Sequence, residues 1–257
     1  MLPFARQCLA LLPLAVFCFA VHPDAVNLTP PPGRMRTLPD RVLWVWERGE
    51  DLRSIDPHAT AIATLDRTIV VGQRIIAIPR RQFYAYPAGT KRITVVRIEA
   101  PGVIAIRLAS AVADSILDLA FAPDIAALQI DFDARLSQRA FYVALLHDLR
   151  GRMPLNLPLS MTALASWCSN DDWIGSLPVD EAVPMFFRME PGRRFAPLGA
   201  PEIQIREPLC TTSIGISTHE PAPASLANKR VYIFPDLGWH EDLSLLTSIA
   251  PISRTHP

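Results

Sequence analysis

The chain has 257 residues, half of them apolar, with 25 prolines, four cysteines and a formal net charge of zero. That length supports one large domain with a substantial core. A balanced charge with no basic patch interleaved with aromatics argues against nucleic acid as a partner and supplies no general attraction to anionic surfaces.

The first 20 residues read as an export signal. Arg6 is the single early charge, Cys8 to Val21 is an apolar run too short for an ordinary membrane span, and Ala20 offers a small residue for cleavage. The mature protein is then expected to be periplasmic or extracellular, with no membrane span, unless an uncleaved signal tethers it. Residues 21–40 are rich in proline and read as a tether. The domain is expected to occupy residues 41–257.

RVLWVWE (41–47) is a β-rich run ending in a carboxylate. ATAIATLDRTIVV (59–71) and RIIAIPRRQ (74–82), separated by Gly72-Gln73, read as a strand and its hairpin return. KRITVVRIEA (91–100) alternates, with Val95, Arg97 and Glu99 on one face. Residues 108–121 have helical spacing. ALQIDFDA (127–134) is an apolar strand ending in two aspartates, with Gln129, Asp131 and Asp133 sharing a face. Residues 136–150 form the best helix, with Ser137 as N-cap and Phe141, Leu145, Leu146 and Leu149 as its apolar stripe. Strands follow at PLSMTALASW (158–167), EAVPMFFRM (181–189), CTTSIGIST (210–218) and RVYIFPDLGW (230–239), and residues 241–249 fit a closing helix.

About eight strands separated by helix-length segments predict an α/β fold with parallel strands, since parallel neighbours need crossovers. Eight such units fit a closed (β/α)8 TIM-like barrel with helices outside. The rival is an open doubly wound sheet, but no glycine-rich fingerprint follows the first strand. The barrel places ALQIDFDA between the ITVVRIE and LSMTALA strands.

In parallel α/β folds functional groups gather at the carboxyl ends of strands, which makes Asp131 and Asp133 the first candidate site. Arg97 is their natural partner, able to grip a carboxylate in a two-bonded fork. The competing reading is an ionic network that only closes the barrel. Glycoside hydrolysis needs a second carboxyl. Glu47, Glu99 and Glu220 offer one, with Glu47 favoured for ending the first strand. Trp173 and Trp239, in loops after strands, are the candidate sugar platforms. Trp44 and Trp46 share a strand face and suit the core. Neither His-x-x-x-His nor Cys-x-x-Cys spacing occurs, so no metal is expected, and no cofactor motif is present. Removal of the signal leaves Cys168 and Cys210, expected to form a disulfide in an oxidising space, with two free thiols as the alternative.

The motifs WVWER (44–48), QIDFDA (129–134), LASWC (164–168), VDEAVPMFFRM (179–189) and VYIFPDLGW (231–239) resemble an uncharacterised bacterial domain family of unknown function. More remotely, they resemble chitinase-like glycoside hydrolase barrels, which carry an Asp-x-Asp-x-Glu run after strand four, Met-x-Tyr on strand six and a late tryptophan. Asp131 and Asp133 match the aspartates, Met185 the methionine and Trp239 the tryptophan. The glutamate position holds Arg135, and the tyrosine position holds Phe187. Arginine does not release its proton, so the family's acid is missing.

The resemblance implies a polysaccharide or glycoconjugate ligand at the carboxyl face. Asp131 and Asp133 would carry acid/base work or charge stabilisation, Arg97 would orient them, Arg188 would contact the ligand, and Trp239 would stack on a ring. The alternative is a non-catalytic binding or envelope-assembly protein on the same barrel. Nothing in the sequence sets an oligomeric state.

Overall fold

The computed structural model describes residues 33–169, 171–187, 204–220, 226 and 228–247. The expected signal and most of the expected tether lie outside these residues, as does Arg188.

Eight parallel strands close into a barrel: β1 (Arg41–Val45), β2 (Thr60–Val71), β3 (Arg92–Glu99), β4 (Ile125–Asp131), β5 (Leu159–Leu164), β6 (Glu181–Met185), β7 (Ser213–Ser217) and β8 (Arg230–Phe234). Each pairs with its sequence neighbour, and β1 pairs with both β2 and β8. That double pairing rules out the open sheet. ALQIDFDA forms most of β4 and lies parallel between β3 and β5, as its buried apolar face requires.

Period two separates the core into an inside and an outside. Val42, Trp44, Ala63, Val95, Val183 and Tyr232 point inward. Leu128, Ile130 and Phe132 point outward onto α3 (Arg139–Arg152), whose predicted stripe of Phe141, Leu145, Leu146 and Leu149 is fully buried. On the opposite side Leu43, Val45, Ile214, Ile216 and Ile233 form a separate outer layer.

Some element boundaries differ from the sequence reading, for local reasons. The helical stretch 108–121 is broken into α1 (Ala109–Asp114) and α2 (Leu117–Ala120). Ser137 is no cap: Arg135 and the 3-10 turn Leu136–Gln138 open the helix, with the Gln138 side chain accepting from the Arg135 N–H at 2.9 Å. β5 stops at Leu164, and Ala165–Ser169 turns into α4, which buries Trp167 and Cys168. The closing helix is α5 (Trp239–Asp242) followed by a 3-10 turn, Leu243–Thr247.

The barrel floor is polar and sealed. Glu181 and Arg230 pair at 2.8 Å with almost no exposure. Tyr232 donates to the same carboxylate, as does Ser160 at 3.3 Å, and Gln129 donates to Ser160 at 2.9 Å. Arg230 also donates to the carbonyls of Met35 and Pro39 at 2.6 and 3.1 Å. Residues 33–40, the end of the stretch read as tether, therefore pack across the bottom of the barrel, with Leu38 buried among the inward side chains.

The Cys168–Cys210 disulfide is formed, with Cα atoms 5.9 Å apart. It fastens α4 to the turn Pro208–Cys210 that leads into β7. The carbonyl of Cys168 also accepts from the N–H groups of Arg206 and Glu207 at 2.9 and 3.2 Å.

Candidate functional site

β2 and β3 run past the barrel mouth, and the hairpin return Ile75–Pro79 extends their sheet by an antiparallel strand. One bulge makes this extension useful. The pairing of β2 with β3 slips between Leu65 and Arg67, so Asp66 is the extra residue. Before the slip Leu65 and Val95 face inward together. After it Thr68 lies beside Arg97 and Val70 beside Glu99, and this face turns toward the mouth.

The next pairing, Arg97 with Asp131, brings the predicted cation against the first aspartate. Arg97 Nη1 donates to Asp131 Oδ2 at 3.0 Å, and Arg97 Nε to Glu99 Oε1 at 3.1 Å. Thr162 on β5 donates to the other Asp131 oxygen at 2.8 Å. Both oxygens of Asp131 are thus taken, and its side chain is 4% exposed. Burial still holds its carboxyl above the ordinary range, against the pull of Arg97 and Thr162.

Asp133 differs in exposure and in partners. It lies two residues beyond, at the exposed rim, and takes no hydrogen bond or ion pair from the described residues. Its carboxyl is also pushed up, by crowding out of solvent and then by the charge on Asp131, with Arg97 opposing. The sequence treats the two aspartates as a pair. The structure divides their roles into a locked carboxylate and a free one.

These groups line a cleft of about 480 Å3 with Val70, Ala100, Pro101, Phe132, Arg135 and Gln138. Gln138 fixes its rim, donating to the carbonyls of Ala100 and Gly102 at 3.2 and 2.6 Å. Arg135, in the glutamate position of the chitinase-like pattern, donates to the Pro101 carbonyl at 3.1 Å. Thr162 and Gln138 went unnoticed in the sequence. Each acts through a partner far along the chain, so only the register between strands reveals it.

Several sequence-predicted site residues lie elsewhere. The Glu47 carboxylate accepts from the backbone N–H groups of Arg81 and Gln82 at 2.8 and 3.0 Å, holding the loop after the hairpin and standing outside the cleft. Glu220 also lies outside the cleft lining. Trp239 is no sugar platform: it is fully buried in the outer layer, its indole N–H donating to the Trp44 carbonyl at 2.7 Å. Gly238, at φ 115°, makes the turn that folds it back, and buried Glu50 accepts its backbone N–H at 2.9 Å. Trp173 is half-buried edge-on against Trp167 at 4.9 Å, under the Arg139 guanidinium at 5.0 Å, and outside the cleft walls. Phe187, in the tyrosine position, joins Trp44 and Phe234 in an aromatic cluster on the other side of the barrel interior. Among the described residues no group of three or more His, Cys, Asp or Glu side chains could hold a metal ion.

The fold and the cleft define a parallel eight-stranded barrel with a charged depression at the carboxyl ends of β3 and β4. Residues 89–185, which carry β3 through β6 and every cleft residue except Val70, match a domain of unknown function (DUF3142). No curated protein matches the chain. Among the described residues no helix is long and apolar enough to cross a membrane.

Proposed function

We propose that this protein is an exported barrel that binds a polysaccharide or glycoconjugate in the cleft at Asp133. Residues 1–20 direct export to the periplasm or extracellular space, and the following proline-rich stretch links the signal to the barrel domain. The disulfide fits an oxidising compartment.

One observation carries the ligand reading. Asp133 is an unpaired carboxyl at the barrel mouth, with Arg97 and Glu99 beside it and Asp131 behind it. A residue that only closed the barrel would have its oxygens satisfied, as those of Asp131 are. Open acceptors on a rigid strand end suit the hydroxyl groups of a sugar.

Hydrolysis is the finer reading, and Glu99 favours it. Glu99, at the end of β3, and Asp133, two residues past the end of β4, line the same cleft. Two carboxyls in one cleft are what glycoside hydrolysis requires. Asp133, with its raised pKa, is the proton donor and Glu99 the second carboxyl. Arg135 cannot be the acid.

The test pairs two readouts across bacterial envelope and plant polysaccharides. Asp133→Asn is expected to weaken binding by tenfold or more and to leave the thermal midpoint within about 2 °C of wild type, since a surface change away from packed features stays within about 0.5 kcal/mol. Unchanged affinity with a lowered midpoint would return Asp133 to a structural role. Reducing ends released by wild type and lost in both Asp133→Asn and Glu99→Gln establish hydrolysis. Binding without release defines a binding protein.

A further inference from the structure

The hairpin return Ile75–Pro79 is almost wholly exposed, with Ile76 at 53% and Ile78 at 40%. Adjacent apolar side chains on an open strand commonly mark a contact surface. The register shows what they continue. Ile78 pairs with Thr68, Thr68 with Arg97, and Arg97 with Asp131. Ile76 pairs with Val70, and Val70 with Glu99. Directly paired residues share a sheet face. The isoleucines and the charged groups therefore stand on one surface. Val70 already lines the cleft. Strand spacing puts the isoleucine row roughly 10 Å from Arg97 and Glu99.

We propose that the ligand is an amphipathic glycan, a saccharide bearing an acyl or alkyl chain. Its sugar occupies the cleft at Asp133, and its chain lies across Val70 onto Ile76 and Ile78. This rests on the carbohydrate reading above and adds the apolar half. A plain polysaccharide leaves two isoleucines in water beside its own site. A lipid with no polar head leaves Asp133 unpaired. A ligand with both parts satisfies each, and the short distance between the surfaces suits a chain attached directly to the sugar.

The experiment compares octyl and methyl β-glycosides of glucose and N-acetylglucosamine, held below micelle-forming concentrations and titrated by NMR shift changes. Three proteins are used: wild type, Asp133→Asn and the double variant Ile76→Ser/Ile78→Ser. Wild type is expected to bind the octyl compound at least about tenfold more tightly than the methyl compound, the return on burying a few methylene groups. The double variant, changed only on an exposed surface, is expected to lose that advantage and keep the methyl affinity. Asp133→Asn is expected to weaken both. Equal affinities in wild type, or an octyl advantage that survives in the double variant, overturns the amphipathic ligand and leaves the carbohydrate site standing. An octyl advantage lost in the double variant but untouched by Asp133→Asn overturns the carbohydrate site, and this inference with it. So does failure of either glycoside to move any cleft resonance.

Discussion

Replacing Arg97 with alanine tests how the cleft is held together. The Asp131 side chain is 4% exposed and relies on Arg97 and Thr162 for its two oxygens. Removing one partner of a buried ion pair costs about 3–5 kcal/mol. Arg97 itself is 27% exposed, so solvent screens part of the pair. A loss of about 2–4 kcal/mol follows, or roughly 5–15 °C in thermal midpoint for a domain of this size. The loss carries a pH signature. Burial already raises the folded pKa of Asp131, so stability from this group is full below the unfolded carboxylate value and is lost as pH rises through the folded one. Without Arg97 the folded value climbs further, and more stability is lost on going to neutral pH. Urea unfolding of wild type and Arg97→Ala should differ most at pH 7–8 and least near pH 4, about the unfolded aspartate value. Asp131→Asn, which strands no charge, should cost less than Arg97→Ala. A deficit under about 1 kcal/mol, or one equal at both ends of the pH range, would show that Asp131 does not depend on Arg97 and would refute the reasoning.

Reduction of Cys168–Cys210, or the double change to serine, opens a loop spanning 42 positions and should cost about 4 kcal/mol on the chain-entropy account, read as a drop in denaturation midpoint without altered ligand affinity. Gly215→Ala should destabilise by about 1–3 kcal/mol, because a methyl there would sit 3.1 Å from Phe234 and 3.3 Å from Phe187; calorimetry showing no change would mean the aromatic cluster is loosely packed.

The barrel was legible because its evidence is local. Apolar alternation, helix-length spacers and the 3.6-residue stripe on α3 each sit within one segment, and each segment buries the face its pattern marks. The disulfide followed from counting cysteines in the expected compartment. The union of Arg97, Glu99, Asp131 and Asp133 was legible for a similar reason: two consecutive strands with the right parity meet side by side in a parallel barrel. Glu47, favoured for ending the first strand, misses the cleft because Trp44 and Trp46 take the inward positions of that segment and leave the next residue facing away. What sequence could not supply was partnership across the chain. Thr162 distinguishes Asp131 from Asp133, yet nothing near position 162 announces it. Trp239 looked like a loop tryptophan because its fate is set by Gly238 and Glu50, the latter nearly 190 residues away. The Asp66 bulge, which turns Thr68 and Val70 to the mouth alongside Arg97 and Glu99, is invisible in a run of β-formers.

The floor of the barrel also governs when the molecule can exist at all. β1 needs both β2 and β8, the N–H of Val231 reaches the Asp40 carbonyl at 2.7 Å, and Arg230 grips Met35 from 195 positions away. Until β8 has been synthesised, β1 and β7 present open edges, and Glu181 has no counter-charge. A partial barrel is therefore a poor resting place, with exposed edges inviting misassociation. Productive folding waits for nearly the whole chain and then proceeds through very long-range contacts, a slow route by topology alone. A permuted chain that joined the two floor segments directly and opened the ring elsewhere would bring that closing step forward and shorten the interval in which the edges stand open.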